Sequence, residues 1–449
     1  MNPEKIRETS PLLPEKDTIE AVEAGEQQSA ESIEHQAEND NYGLLDPAKY
    51  RNRMLSEITE NSELDLSGKD LTIIAEYLKR QDPAYMAELR SMVLGQKSIG
   101  KEVEVIIAIP SYHEGGNLEK TLRNYAKLKD RNHFEIDLLE NHPEGVERDD
   151  SMDVIKAIER EFPDLNIVHL YKVFKEKPTI GQVRKYLVDA VLLRKMESDI
   201  EKSLAIVSND ADLEDISEDY VDRISAVFKK NKKLDAIEGK WDYPVETFKK
   251  YPLLHASQRL WRYLDIAFRN YSLKTQDLTG TNSVFRSGIY AAVGGYNQEA
   301  LLAEDWEIGQ LIKAARGDNQ SVGRVDSAWL ISNPRRAVAK MLSDNRFIEQ
   351  HEDFHENEDV RNASVESLLP EKREFDEEEF AKEVQAIYKH CEVWKKSNGG
   401  SIDDEDIDRS FDRAMRFLGV KYDIKGDRLS ILDTERLRKG LRDYELKGE

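Results

Sequence analysis

Leu204-Ala205-Ile206-Val207-Ser208 is a short apolar run that opens directly into Asn209-Asp210-Ala211-Asp212, and the fold hangs on how that step is read. A run of this length bounded by turn-forming residues reads as a buried strand. Two carboxylates one residue apart at its carboxyl end point into the crevice where open α/β sheets bind ligands. Hard oxygen ligands in that place suit Mg²⁺ or Mn²⁺ carrying a phosphate. D-x-D alone is a weak signal in a chain with 35% charged residues, so its surroundings decide.

Upstream, Val103 to Ile109 reads as another buried strand, ending in Pro110-Ser111-Tyr112-His113-Glu114-Gly115-Gly116-Asn117. A helical pattern follows, with Leu118, Leu122, Tyr125 and Ala126 on one face. Phe134 to Leu139 and Asn166 to Leu170 are further strands, and Thr179 to Lys195 is a helix with Val183, Leu187 and Val191 on one face. Strands that alternate with helices favour a parallel sheet. Downstream, Ala303-Glu304-Asp305-Trp306-Glu307 is a second acidic step, which could supply a base.

The ordered series I-P-S-Y-H-E, K-P-T-I-G-Q-V-R, S-N-D-A-D, T-G-T-N-S-V-F-R-S-G-I-Y-A-A-V-G-G-Y-N and A-E-D-W-E resembles the family 2 glycosyltransferases with the GT-A fold. The likeness runs from about Glu102 to Arg336, one domain in size. It implies a Rossmann-like α/β fold: a mixed, mainly parallel sheet flanked by helices, with helical extensions at both ends. It also implies a nucleotide-sugar donor held by Pro110, Tyr112, Glu114, Glu140, Lys177, Arg184, Asp210, Arg335 and Arg336. Asp210 and Asp212 would hold Mg²⁺ or Mn²⁺, with His351 as a further ligand folding back from late in the domain. Asp305 would be the catalytic base with Glu304 beside it, and Thr279, Gly280, Gly294, Gly295 and Trp306 would line the acceptor site.

The chemistry follows from the residues as well. A nucleoside diphosphate leaves poorly unless its developing charge is neutralised, which a bridging divalent cation does without proton transfer. An acceptor hydroxyl is a weak nucleophile at neutral pH, so a carboxylate in hydrogen-bond reach must take its proton. Direct attack then inverts the anomeric centre. The family's first loop usually carries Asn where His113 stands, and its second strand usually ends in Asp where Glu140-Asn141-His142 stands. The Q-x-x-R-W motif of processive synthases is missing, which favours single addition over polymerisation.

Simpler readings stand beside these. Glu304 and Asp305 also suit the first turn of a helix, where carboxylates complement the dipole. Gly294-Gly295 also suits a helix stop after Ile289-Tyr290-Ala291-Ala292. Tyr112 can stack on a base or pack, and Lys177 and Arg184 can meet phosphate or belong to a solvated helix face. His351-Glu352-Asp353-Phe354-His355 matches the zinc-protease pattern H-E-x-x-H, but Asp353 and Glu356 sit where such helices bury apolar residues.

The net charge of -23, with a pI near 5.0, argues against a general nucleic-acid or anionic-membrane surface. A single cysteine, Cys391, excludes an intramolecular disulfide framework and fits a reducing compartment. No apolar run approaches the ~20 residues that span a bilayer, and the start of the chain lacks a signal-peptide stretch, so a cytoplasmic protein is expected. Four regions are expected: a disordered acidic tail at 1–42, a helical extension at 43–100, the GT-A domain at 101–345 and an acidic helical region at 346–449. The expected function is metal-dependent, inverting transfer of a hexose-type sugar to an unidentified hydroxyl. The alternative is a catalytically silent GT-A domain that binds or scaffolds, and oligomeric state is left open.

Overall fold

The computed structural model describes residues 69–268, 278, 280–299, 304–317, 321–342, 363–397, 404–426 and 428–447. Expectations placed on 1–68, on Thr279, His351 and His355 lie outside these residues.

Helices α1 (Asp70–Lys79) and α2 (Pro83–Val93) lead into β1 (Val105–Ser111), α3 (Gly116–Ala126), β2 (Phe134–Pro143), α4 (Ser151–Glu161), β3 (Ile167–Phe174), α5 (Ile180–Glu197) and β4 (Ala205–Ser208). Then come β5 (Leu213–Ile216), α6 (Tyr220–Lys230), β6 (Ala236–Asp242), α7 (Val245–Lys250), α8 (Pro252–Phe268), β7 (Ser283–Arg286), α9 (Ser287–Ala292), α10 (Glu304–Arg316), β8 (Val322–Ser332) and α11 (Arg335–Leu342). The eight strands form one sheet in the order β3-β2-β1-β4-β7-β6-β8-β5. β1 pairs in parallel with β2 and β4, β2 with β3, and β6 with β8, while β7 runs antiparallel to β4 and β6 and β5 antiparallel to β8. The mixed, mainly parallel sheet expected from the sequence is therefore present.

Direction decides where function can sit. β1, β2, β4 and β6 all point the same way, because two antiparallel steps through β7 restore the direction of β4 in β6. The loops after these strands share one edge of the sheet, the edge at which open α/β sheets bind ligands. The strand side chains alternate between two cores, as a two-residue period requires. Ile106, Ala108 and Ile206 join the layer containing α1, α2, α5 and α9. Val105, Ile107, Ile109 and Val207 join the layer containing α3, α4 and α6.

Helix α5 differs from its expected one-sided pattern: it is buried almost all round, although it carries Arg184, Lys185, Asp189, Arg194 and Lys195. Each charge has a partner, because an ion stripped of water without one would cost several kcal/mol. Arg194 meets Glu135 and Asp137 at 2.8 and 2.6 Å, and Lys195 meets Asp70 at 2.9 Å. Asp189 accepts from Tyr77 at 2.8 Å, Tyr85 at 2.7 Å and Lys185 at 2.9 Å. Helices α1 and α2 are thus bonded into the core of the sheet, a closer union than packing against its edge.

A third core gathers around α8, joined by α13 (Glu377–Ser397), α14 (Asp404–Leu418) and α15 (Glu435–Lys447), beyond the short α12 (Val365–Leu368). Within 346–449 the structure adds an antiparallel hairpin, β9 (Lys421–Lys425) with β10 (Arg428–Asp433), which the acidic composition does not announce. Among the described residues no helix is long and apolar enough to cross a membrane.

Candidate active site

The turn after β4 is pinned from two sides, which fixes its carboxylates. Thr121 of α3 donates to the Ala211 carbonyl and accepts from the Leu213 amide, both at 2.8 Å. From the far side the Asn333 amide donates to the Asp212 carbonyl at 2.9 Å. Asp210 and Asp212 emerge between these anchors, and both are met by arginines. Arg184 Nη2 donates to Asp210 Oδ1 at 3.0 Å. Arg335, 1% exposed, bridges Asp212 at 2.9 Å and Glu114 at 2.6 Å, with Arg336 at 3.6 Å from both. The loop after β1, the turn after β4 and the start of α11 therefore converge, as the sequence motifs suggested.

Arg184 also links this cluster to the second acidic step. Its Nε lies 3.1 Å from Glu304 Oε1, and its Nη1 donates to Ser208 Oγ at 2.9 Å and to the Gly280 carbonyl at 3.3 Å. Glu304 and Asp305 open α10, and Asp305 Oδ1 accepts from the Trp306 amide at 3.0 Å, so the dipole-complementing arrangement is real. That arrangement explains neither the burial of the two carboxylates nor the ion pair of Glu304 with Arg184. Burial first, and the negative Glu304 second, push the Asp305 carboxyl up to about 7 against the pull of Arg184. Gly280 faces this carboxylate so closely that a Cβ there would lie 2.7 Å from Asp305 Oδ2.

Other expected residues fall elsewhere. The Glu140 carboxylate is already committed: Arg148 donates to both its oxygens at 2.7 and 2.5 Å, and His169 lies at 2.9 Å. Burial alone would raise it, but the hydrogen bonds from His169 and Arg148 hold it at about 2. Gly294 and Gly295, at φ 91° and 75°, close α9, and Gly295 is buried against the Tyr77 and Tyr290 hydroxyls. The helix-stop reading describes their backbone. Pro110 is half-buried near the end of β1 and Tyr112 half-buried on the loop just after it, Trp306 is half-buried beside Asp305, and Lys177 is exposed between β3 and α5.

Several residues at this edge escaped the sequence reading. Glu307 is buried one turn beyond Glu304 and accepts from Asn297 at 3.2 Å. Tyr243, just past β6, has its phenol pushed up by burial and by the facing Asp212. His113 takes a left-handed backbone at φ 52°, and its Nε2 is buried without a hydrogen-bond partner. Strain of that kind clusters at ligand-facing loops. His113 and Glu307 stood within stretches already quoted from the sequence, without a role given to them, whereas Tyr243 had no signal.

No protein-family profile and no curated protein matches the chain. Solved structures similar to it include the mannosyltransferase PcManGT from Pyrobaculum calidifontis in complex with GDP-Man and Mn²⁺, at 12% identity and a TM-score of 0.36 over 77% of this chain and 99% of that one. TarS of S. aureus, residues 1–349, is similar at 13% identity and a TM-score of 0.34, over 74% and 97% of the two chains. Glucosyl-3-phosphoglycerate synthase from Mycobacterium tuberculosis, in complex with Mn²⁺, UDP-glucose and phosphoglyceric acid, is similar at 11% identity and 0.31, over 71% and 86%. Likeness at this level leaves the chemistry to be argued from the residues themselves.

Proposed function

We propose that the chain is a metal-dependent, inverting glycosyltransferase of the GT-A, family 2 type, moving a hexose-type sugar from a nucleoside-diphosphate donor to a hydroxyl. One observation carries this reading. Arg184 bonds to Asp210 on one side and Glu304 on the other, so the D-x-D turn and the Glu304–Asp305 pair form a single buried cluster at the ligand-binding edge. A donor phosphate and an acceptor hydroxyl need those two carboxylate groups within one site.

The residues fit a divalent cation. Each arginine contact on Asp210 and Asp212 uses one oxygen, and the donor set is hard oxygen throughout. Among the described residues no cage of three or more ligating side chains is assembled. Mg²⁺ and Mn²⁺ keep waters and take one or two carboxylates plus substrate phosphates, so Asp210 and Asp212 would suffice as protein ligands. Such a cation would neutralise charge on the departing diphosphate. Arg335 and Arg336 stand beside the same carboxylates and are placed to meet phosphate oxygens. Asp305 takes the proton from the acceptor hydroxyl as it attacks, the Trp306 amide orients it, the neighbouring Glu304 and Arg184 set its charge balance, and Gly280 leaves the room it needs.

Asp305→Asn tests the assignment. The amide keeps the shape but not the basicity, so turnover should fall roughly 10²–10⁴-fold with nucleotide affinity unchanged. A helix-dipole residue would instead lose about 0.3–1 kcal/mol of stability and leave turnover intact. The second reading, a silent binding module, draws on the fact that arginines neutralise every carboxylate of the D-x-D turn. Release of sugar from nucleotide sugars by the pure protein, abolished by EDTA, would rule it out.

A further inference from the structure

The departure at the end of β2 has a chemical meaning. The carboxylate that closes this strand, Glu140, cannot offer a free oxygen to an incoming N–H group. Arg148 Nε and Nη2 hold its two oxygens at 2.7 and 2.5 Å, and His169 Nε2 shares Oε2 at 2.9 Å. Arg148 in turn lies over the Tyr171 ring, 4.0 Å from its centroid. The Tyr171 hydroxyl is held by His142 Nε2 at 2.6 Å, and Asn141 Nδ2 donates to the Ser111 carbonyl at 2.8 Å. The guanidinium is thus held in plane by Glu140 and from one face by the Tyr171 ring, and His169 and His142 steady those two partners in turn. Its side chain keeps 38% exposure, whereas Glu140 keeps 3%.

Because Nε and one Nη2 proton are spent on Glu140, the N–H groups left over lie on the Nη1/Nη2 edge of the fork. That edge is a pair of donors with no acceptor among them. It also sits at a telling distance. Neighbouring strands lie about 4.8 Å apart, so β2 and β3, two and three strands from β4, place the cluster roughly 10–15 Å from the Asp210–Asp212 turn. A diphosphate at that turn would extend its ribose and base along the same edge toward Arg148. The loop carrying Arg148 borders the crevice as well: a Cβ on Gly115 would lie 3.4 Å from Asp150 Oδ1.

We propose that Arg148, fixed by Glu140 and Tyr171, reads the base of the donor and selects guanine. The inference rests on the nucleotide-sugar reading of the site. Guanine presents two acceptors side by side, O6 and N7, which match a two-donor fork. Adenine replaces O6 with an amino donor that would face another donor. Uracil's two carbonyls stand on either side of its imide N–H, so no two acceptors lie side by side to match the fork, and both Glu140 oxygens that could take that N–H are already occupied. The donor would then be a GDP-sugar.

The test is calorimetric titration of the full chain in Mg²⁺ with GDP, IDP, 7-deaza-GDP, UDP and ADP. GDP and IDP, which share O6 and N7, should bind alike and at least tenfold tighter than UDP or ADP. Loss of N7 in 7-deaza-GDP should weaken binding, with discrimination in the range of about 5- to 150-fold expected for a two-point contact. Arg148→Lys keeps the charge without the fork and should bring GDP affinity to within about threefold of UDP, with the melting midpoint confirming a folded protein. The deaza ligand keeps the proposal testable even where the variant fails to fold. UDP or ADP binding as tightly as GDP, or GDP and 7-deaza-GDP binding alike, would overturn guanine selection while leaving the transferase reading intact. Failure of every nucleotide to bind would overturn both.

Discussion

Asp305 can act as a base only when ionised, and burial with Glu304 sets its carboxyl at about 7. Below that value the proton is already in place and the acceptor cannot give up its own. The acid limb of kcat/KM, which reports the free enzyme, should therefore fall near pH 7, dropping about tenfold per unit below it. A limb near pH 4 would mean that another group accepts the proton. The carboxylates themselves were legible in the sequence, because a strand end and a helix start are marked by abrupt changes from apolar to acidic residues. Arg184 was only half legible. A cation in a helical pattern looks the same whether it faces solvent or lies 3.0 Å from Asp210 and 3.1 Å from Glu304, since those partners are separated from it along the chain. The partners of Glu140 were hidden for the same reason: Arg148 and His169 come from a loop and from another strand.

Helix α5 shows how the same difficulty grows to the size of an element. Its apolar positions Val183, Leu187 and Val191 announced a helix with one buried face, and the helix formed within two residues of its expected ends, capped by Thr179 accepting from the Gln182 amide at 3.0 Å. Burial of its other face depends on Asp70, Tyr77 and Tyr85 from α1 and α2 and on Glu135 and Asp137 from β2, and no local pattern records such pairings. Asp189→Ala removes the acceptor shared by three tyrosines, Tyr77, Tyr85 and Tyr290, and leaves Lys185 buried without its counter-ion. It should cost about 3–5 kcal/mol in urea denaturation, far more than a solvent-facing helix position. A loss under about 0.5 kcal/mol would show that water reaches this face. The second half of the sheet was less visible than the first, because β5 and β7 are only four residues long and β6 and β8 interleave polar residues with apolar ones, so their apolar runs never stand out.

For the whole molecule, the boundary drawn at 101 divides a shared core. Removing residues 1–42 should leave the melting midpoint unchanged, since that acidic, aromatic-poor stretch brings little apolar surface. Removing 1–100 takes away Asp70, Tyr77 and Tyr85 and strands Lys195 and Asp189 in the interior. That fragment should fail to give soluble, cooperatively melting protein, and a normal melt from it would make α1 and α2 dispensable. The arginine-capped carboxylates also bear on how a donor arrives. A chain of net charge -23 repels a polyphosphate at long range, and Arg184, Arg335 and Arg336 are matched by Asp210, Asp212, Glu114 and Glu304, so among the described residues this cluster carries no excess positive charge. Encounter is then an uphill approach that mobile ions ease, because the Debye length shrinks from about 30 Å at 0.01 M salt to about 10 Å at 0.1 M. Stopped-flow capture of the free nucleotide should accelerate as salt is added, the reverse of the behaviour of a cationic phosphate-binding cleft, whose on-rates salt suppresses.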